Sequence, residues 1–335
     1  MRLGIAVGDN WDFFHEIYAD LQVQYQTRLF EHRRLESGPF HDRINKLLFQ
    51  QRMTSFLASS DVALFEWASN WLAGATAQPK RCAMVARLHR YELYKWASHI
   101  NWDVLDKIIL VSAAKQREFC AEYPAQAAKT VVIYPSVALD KFTFQPKPFR
   151  GNIGILCHMT PRKRVYELIL AFAELAAADP HLSLHIGGDP IPGYADYWQA
   201  LQYLVDLLGL RHRIHFYGKV EDPWNWYRQI DIFISMSYSE GLQVTPMEAM
   251  ACGCYTLAHC WHGADELVPA DRLFVSEQEL QQLILAYCAL PEAAKQEQAR
   301  ATRDWASDHF DIRQTIRQFR STIDCAAQEW QQAKR

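Results

Sequence analysis

Short apolar runs separated by longer amphipathic stretches set the rhythm of this chain. Residues 2–7, 61–65, 83–88, 107–111 and 130–134 are apolar runs too short for helices, and each reads as a buried strand. A shorter strand is expected at 27–30, and helices at about 12–25 and 41–60. In the second of these helices, Leu47, Leu48, Met53, Phe56 and Leu57 share one side. Strands alternating with helices imply a parallel sheet with right-handed crossovers, a Rossmann-like unit. Residues 135–150 break the alternation, with Pro146 and Pro148 close together, and read as a linker. The pattern then restarts, with strands expected at 153–156, 182–186, 213–217, 231–235, 255–258 and 272–275, and helices at 164–178 and 194–208 among them. The last stretch, 311–335, reads as one long helix. The fold class is therefore α/β: a doubly wound domain over 1–145, a second over 146–310, and a C-terminal helix over 311–335. Neither an internal repeat nor a low-complexity tract interrupts this plan.

Composition narrows the picture. With 335 residues, half of them apolar, the chain can bury two separate cores. A formal net charge of −3 gives no whole-chain electrostatic case for nucleic acid. The basic residues Arg28, Arg33, Arg34, Arg43, Lys46 and Arg52 cluster around the 41–60 helix, and suit either a solvated face or peripheral contact with an anionic membrane. Eight cysteines lie scattered without the spacing of a disulfide framework, so free thiols in a reducing, cytoplasmic compartment are expected. The opening residues read as a strand rather than a signal peptide, and no apolar run reaches bilayer-spanning length. Cys252, Cys254, His259, Cys260 and His262 match no common four-ligand zinc spacing, and no metal is expected.

The chemistry concentrates in SEGLQVTPMEAMACG, residues 239–253. An apolar strand precedes it, a helix is expected over 241–252, and Gly253 occupies the position of a left-handed helix stop. Glu240 thus falls at a strand-to-helix turn, where open α/β sheets bind ligands. The expected helix start offers the backbone N–H groups of Leu242, Gln243 and Val244, a cradle for phosphate. Glu248 lies further along the same helix. Two carboxylates flanking an amide nest suit a ligand with hydroxyls at both ends and phosphate in the middle, the shape of a nucleotide-sugar.

The Glu, seven residues, Glu arrangement, with Gly241 after the first Glu and the Glu-Ala-Met-Ala-Cys-Gly ending, resembles the donor-site signature of family 4 retaining glycosyltransferases. That resemblance implies a GT-B fold, two Rossmann-like domains facing across a cleft, and a C-terminal helix returning to the first. It implies that Glu240 holds donor-sugar hydroxyls, Glu248 the ribose, and the amides of Gly241 to Val244 the sugar and phosphate. Lys163, in the stretch after the 153–156 strand, resembles the diphosphate-binding lysine. Where the family has an arginine five or six residues earlier, this chain has Cys157 and His158, so Arg162 or Arg164 substitutes or the phosphate grip is weaker. Gly218 and the backbone to Val220 resemble the nucleobase contact, and Gly188 a loop near the nucleotide. His89 resembles the histidine that the first domain directs at the donor sugar, with Arg87 and Arg90 beside it on the acceptor or phosphate side. Gly8 and Asp9 occupy the first-domain loop, without the paired glycines often found there. Gly263 to Glu266 resembles a supporting helix start.

The resemblance implies a metal-independent retaining glycosyltransferase that uses a nucleotide-diphosphate sugar as substrate, with no cofactor. Base, sugar and acceptor are not readable from the chain. Two other readings share these residues: a different GT-B enzyme, such as an epimerase or phosphorylase, and a non-catalytic glycan- or protein-binding member of the fold.

Overall fold

The computed structural model describes all residues except 9, 12–13, 33–35 and 37–40. It divides into two compact units, Met1–Pro135 with Ile312–Arg335, and Ser136–Asp311.

The first unit contains β1 (Arg2–Ala6), α1 (His15–Gln24), β2 (Gln26–Leu29), α2 (His41–Ala58), β3 (Val62–Phe65), α3 (Asn70–Thr76), β4 (Ala83–Leu88), α4 (Arg90–Lys95), β5 (Lys107–Leu110), α5 (Ala113–Glu122) and β6 (Thr130–Val132). The strands form one parallel sheet in the order β2-β1-β3-β4-β5-β6. β3 and β4 are buried on both faces, which is why they are continuous apolar runs rather than alternating ones. Alternation still sorts their side chains. Ala63, Phe65, Met84 and Ala86 pack with Met53, Phe56 and Leu57 of α2, whereas Val62, Leu64 and Val85 pack with Phe14, Ile17 and Leu21.

The second unit follows the same scheme with β7 (Asn152–Leu156), α6 (Val165–Ala178), β8 (Ser183–Gly187), α7 (Ala195–Leu207), β9 (Ile214–Gly218), α8 (Pro223–Tyr227), β10 (Ile232–Ser235), α9 (Val244–Ala251), β11 (Tyr255–His259), β12 (Leu273–Phe274), α10 (Glu277–Cys288) and α11 (Glu292–Phe310). Its parallel sheet runs β12-β11-β10-β7-β8-β9. One face is a large core in which Ile153, Ile155, Leu184, Ile186, Ile232 and Ile234 meet Val165, Leu168, Phe172 and Leu201. The chain's final helix, α12 (Ile312–Ala333), belongs to the first unit: Phe319, Ile323, Ala326 and Ala327 pack with Leu3, Ile5, Val62 and Val85.

Two expectations need correction. The boundary expected at residue 145 lies inside the second unit, because the extended stretch before it is pinned there. Arg303 on α11 donates to the carbonyls of Phe142, Ala251 and Leu139 at 2.6, 2.7 and 3.2 Å. Val137 N–H reaches the Phe310 carbonyl at 2.9 Å. The helix expected over 241–252 begins only at Val244, since Gln243 is extended at φ −85°, ψ 137°. Its far end is as expected. Gly253 takes φ +83°, and the N–H groups of Gly253 and Cys254 close onto the Met250 and Ala249 carbonyls, the paired bonds of a Schellman stop. Among the described residues, no helix is long and apolar enough to cross a membrane. The exposed face of α2 carries Ile44 and Leu47 beside Arg43 and Lys46.

Candidate functional site

In the second sheet the chain runs β7, β8, β9 to one side and then returns to place β10 on the other side of β7. The switch point of the winding therefore lies between β7 and β10, and the crevice beyond their carboxyl ends is where such sheets take ligands. The loop after β7 supplies Arg162 and Lys163, on a single 3-10 turn opened by Pro161. The loop after β10 supplies Glu240. Its Oε1 accepts from Lys163 Nζ at 2.7 Å, from Gln243 Nε2 at 2.9 Å, and from the Arg162 guanidinium. Arg162 also donates to the Ser239 carbonyl at 2.8 Å, tying the two loops together. The Glu240 side chain is 11% exposed and that of Lys163 12%. Burial pushes the Glu240 carboxyl up, but the cations Lys163 and Arg162 outweigh it and hold it below its ordinary value. A small cavity here is lined by Cys157, Lys163, Ser235, Ser237, Gln243 and Thr245.

Gln243 explains the late helix start. Its side chain receives a hydrogen bond from Ser235 and gives one each to Ser237, at 3.1 Å, and Glu240. It is thus spent on organising the loop, and Gly241, Leu242 and Gln243 precede the helix rather than opening it. Pro246, in the first turn of α9, has no N–H, so the donors of that turn come from Val244, Thr245 and Met247. Glu248, on the same helix, accepts from the phenol of Tyr227 at 2.9 Å. Burial and the nearby Glu248 carboxylate raise that phenol well above its usual value, so it remains a donor.

Arg162 is the arginine beside Lys163 at Glu240. Arg164 turns away to pair with Glu277 at the start of α10, and His158 is exposed. Arg164 also takes a left-handed backbone, φ 52°, ψ 37°, at the start of α6. Gly218 has φ +63° and open space where a side chain would stand, apart from Asp189 Oδ1 at 3.4 Å, as a close ligand approach requires. Gly188 is different: a Cβ there would lie 1.8 Å from the Cys157 carbonyl oxygen, so its glycine is demanded by β-loop packing. Val220 is half-buried, with its side chain against the Gly187 backbone. Gly263, at φ +102°, precedes a short 3-10 turn, Ala264–Glu266.

In the first unit, His89 follows β4 and caps α4. Its Nε2 lies 3.3 Å from Glu66 Oε1, and the Trp67 ring stacks on it with centroids 4.2 Å apart. Arg87 is not available to a ligand: it is 1% exposed and donates to Glu66 Oε1 at 3.0 Å. Gly8 has φ +77° and open space around it, and Asp9 lies outside the described residues. Sequence reasoning missed Glu66 and the organising side chain of Gln243. The only signal for Glu66 was its position directly after a buried strand.

Two Rossmann-like units in series, each a six-stranded parallel sheet with flanking helices, make the GT-B fold of glycosyltransferases. The chain superposes on HepE of Anabaena, solved in complex with UDP and glucose, with a TM-score of 0.79 at 19% identity, covering 96% of this chain and 99% of that one. Sucrose-phosphate synthase from Thermosynechococcus elongatus gives 0.77 at 15% identity over 96% and 98% of the two chains. Residues 150–292 match the family model of glycosyl transferases group 1. Over 173 residues the chain is 28% identical to D-inositol 3-phosphate glycosyltransferase 2 of Catenulispora acidiphila, covering 47% of this chain and 40% of that protein. Over 117 residues it is 28% identical to the lipopolysaccharide core biosynthesis mannosyltransferase LpcC of Rhizobium leguminosarum bv. viciae, covering 35% and 33%. The matches thus span less than half the length of these curated relatives.

Proposed function

We propose that this protein is a retaining glycosyltransferase of family 4 that moves a sugar from a nucleoside-diphosphate donor to an acceptor hydroxyl. The observation that supports this best is the cluster of Glu240, Lys163 and Arg162 at the switch point of the second sheet. Two cations and a buried carboxylate on adjoining loops can divide a nucleotide-sugar between them. Lys163 and Arg162 take the diphosphate and stabilise the charge that develops on it as the glycosidic bond breaks. Glu240 accepts hydrogen bonds from sugar hydroxyls, Glu248 from the ribose, and the backbone from Gly218 to Val220 faces the base. Because an oxocarbenium-like transition state leaves negative charge on the departing phosphate, fixed cations in a dry site lower the barrier without a metal.

HepE was solved with UDP, which makes uridine the first base to test. A thermal-shift screen against UDP, GDP, ADP and dTDP sugars, followed by transfer assays with the stabilising donor, tests the proposal. Stabilisation by one nucleotide and acceptor-dependent release of it are expected. Binding without turnover under any acceptor mixture would instead assign a non-catalytic role. Turnover that needs no acceptor would assign a different GT-B enzyme.

A further inference from the structure

The first unit holds a buried polar group that the donor site does not use. Glu66 follows β3 and Arg87 lies on β4, and the two side chains are 0% and 1% exposed. The guanidinium of Arg87 stands over the ring of Phe319 at 5.3 Å and donates to Glu66 Oε1 at 3.0 Å. That same oxygen faces His89 Nε2 at 3.3 Å. A guanidinium stays protonated in proteins, and a carboxylate paired with it only accepts. The hydrogen between Glu66 and His89 must then belong to Nε2, so the neutral imidazole here is the Nε2–H tautomer.

Two further contacts fix the ring. Trp67 stacks on it at 4.2 Å and 25°, and is itself held by its indole N–H on the Asn10 carbonyl at 2.9 Å. Glu92, in the first turn of α4, accepts from the backbone of His89, the return half of a capping box. The ring face, the backbone and Nε2 are therefore all engaged; Nδ1 has no hydrogen-bond partner among the described residues, and the Glu92 carboxyl acts on the ring only through its charge.

We propose that Glu66 is a positioning residue: it fixes His89 as the Nε2–H tautomer, so that the Nδ1 lone pair is presented to a hydroxyl of the bound carbohydrate. The identity of that hydroxyl rests on the glycosyl-transfer reading; the tautomer does not. The positioning divides the labour between two residues. Glu66 sets which nitrogen can accept, and His89 touches the substrate.

Long-range proton–nitrogen correlation spectra of the full chain, labelled on histidine, read the tautomer directly, with His89 assigned by the signals lost in His89→Gln. Wild-type His89 is expected with Nε2 protonated and Nδ1 bare. In Glu66→Gln, whose amide can donate as well as accept, the two tautomers should mix. The same variant should bind UDP as wild type does and turn over UDP-glucose with kcat/KM reduced about tenfold or more. A wild-type Nδ1–H tautomer, or a folded Glu66→Gln with undiminished turnover, overturns the proposal. The expected tautomer in a wild-type chain that binds no nucleotide leaves the positioning intact and brings down the glycosyl-transfer reading instead.

Discussion

Replacing Glu240 with Gln keeps the shape of the side chain and removes its charge, and the structure allows both consequences to be sized. In the structure the carboxylate is the shared acceptor of Lys163, Arg162 and Gln243. Gln can still accept through its amide oxygen, so what is lost is the charge-assisted part of two bonds, about 1 kcal/mol each, plus the stranding of Lys163 in a nearly closed site. Arg162 is 30% exposed and recovers hydration, which limits the damage. The sum is about 2–3 kcal/mol, or roughly 4–10 °C in the melting of the second unit. Ligand binding should move the other way. A diphosphate must share or displace Glu240 at Lys163 in the wild type, whereas in Glu240→Gln both cations are free of an anionic competitor. UDP should bind at least as tightly to the variant by calorimetry, while sugar transfer falls about a hundredfold or more.

The pH dependence supplies an internal control. The folded Glu240 carboxyl lies below its unfolded value of about 4.3, so the unfolded chain takes up this proton first as pH falls. Its stabilisation is complete above that value and is lost as pH drops through the folded one, and Glu240→Gln should lack this acid step. Wild-type stability in the variant, or UDP binding abolished in a folded variant, would refute the reasoning, the first by denying the ion cluster and the second by making Glu240 a scaffold rather than a competitor.

Further expectations follow from the same structure. Gly188→Ala should cost about 3 kcal/mol or more in urea unfolding, because its Cβ meets the Cys157 carbonyl in a backbone region that L-residues avoid. Arg164→Gly should leave stability within about 1 kcal/mol of wild type, relief of the left-handed backbone offsetting the half-exposed pair with Glu277; Arg164→Val, β-branched at that φ, should lose about 2 kcal/mol. His185, packed against His215 and bonded to Ser183 and Tyr217, is lowered to about 4, chiefly by burial and then by the charge of His215. Since the unfolded chain binds that proton first, stability should decline from about pH 6.5 to 4 by about 2 kcal/mol, and His185→Gln should flatten that slope in pH-dependent denaturation.

Much of the architecture was legible because buried parallel strands leave continuous apolar runs, as in Val62–Phe65 and Ile232–Ser235. The turn at Glu240 was legible for the same reason: a strand before it, a helix after it and Gly253 to stop that helix. The start of that helix was not. Leu242 and Gln243 are acceptable helix formers, and the bonds that Gln243 accepts from Ser235 and donates to Ser237 and Glu240 decide against them. The two prolines near residue 147 suggested a linker, yet Arg303, far along the chain, holds the stretch before them by the carbonyls of Phe142 and Leu139 and ties it to that of Ala251 on α9. Glu66 was hidden by chemistry rather than by pattern. A carboxylate after a strand is ordinarily solvated, and its burial depends on Arg87 and on Phe319 of the last helix.

The return of α12 to the first sheet has a temporal side. Ribosomes deliver β1 to β6 first, yet the face carrying Leu3, Ile5, Val62 and Val85 is covered only in part, by Phe14, Ile17 and Leu21, until Phe319 and Ile323 emerge to complete it. The second unit, contiguous in the chain, has all its parts earlier and can close while its predecessor waits. A nascent chain arrested before residue 312 should therefore resist protease over its latter portion and be cut in its former, inverting the usual order of domain maturation.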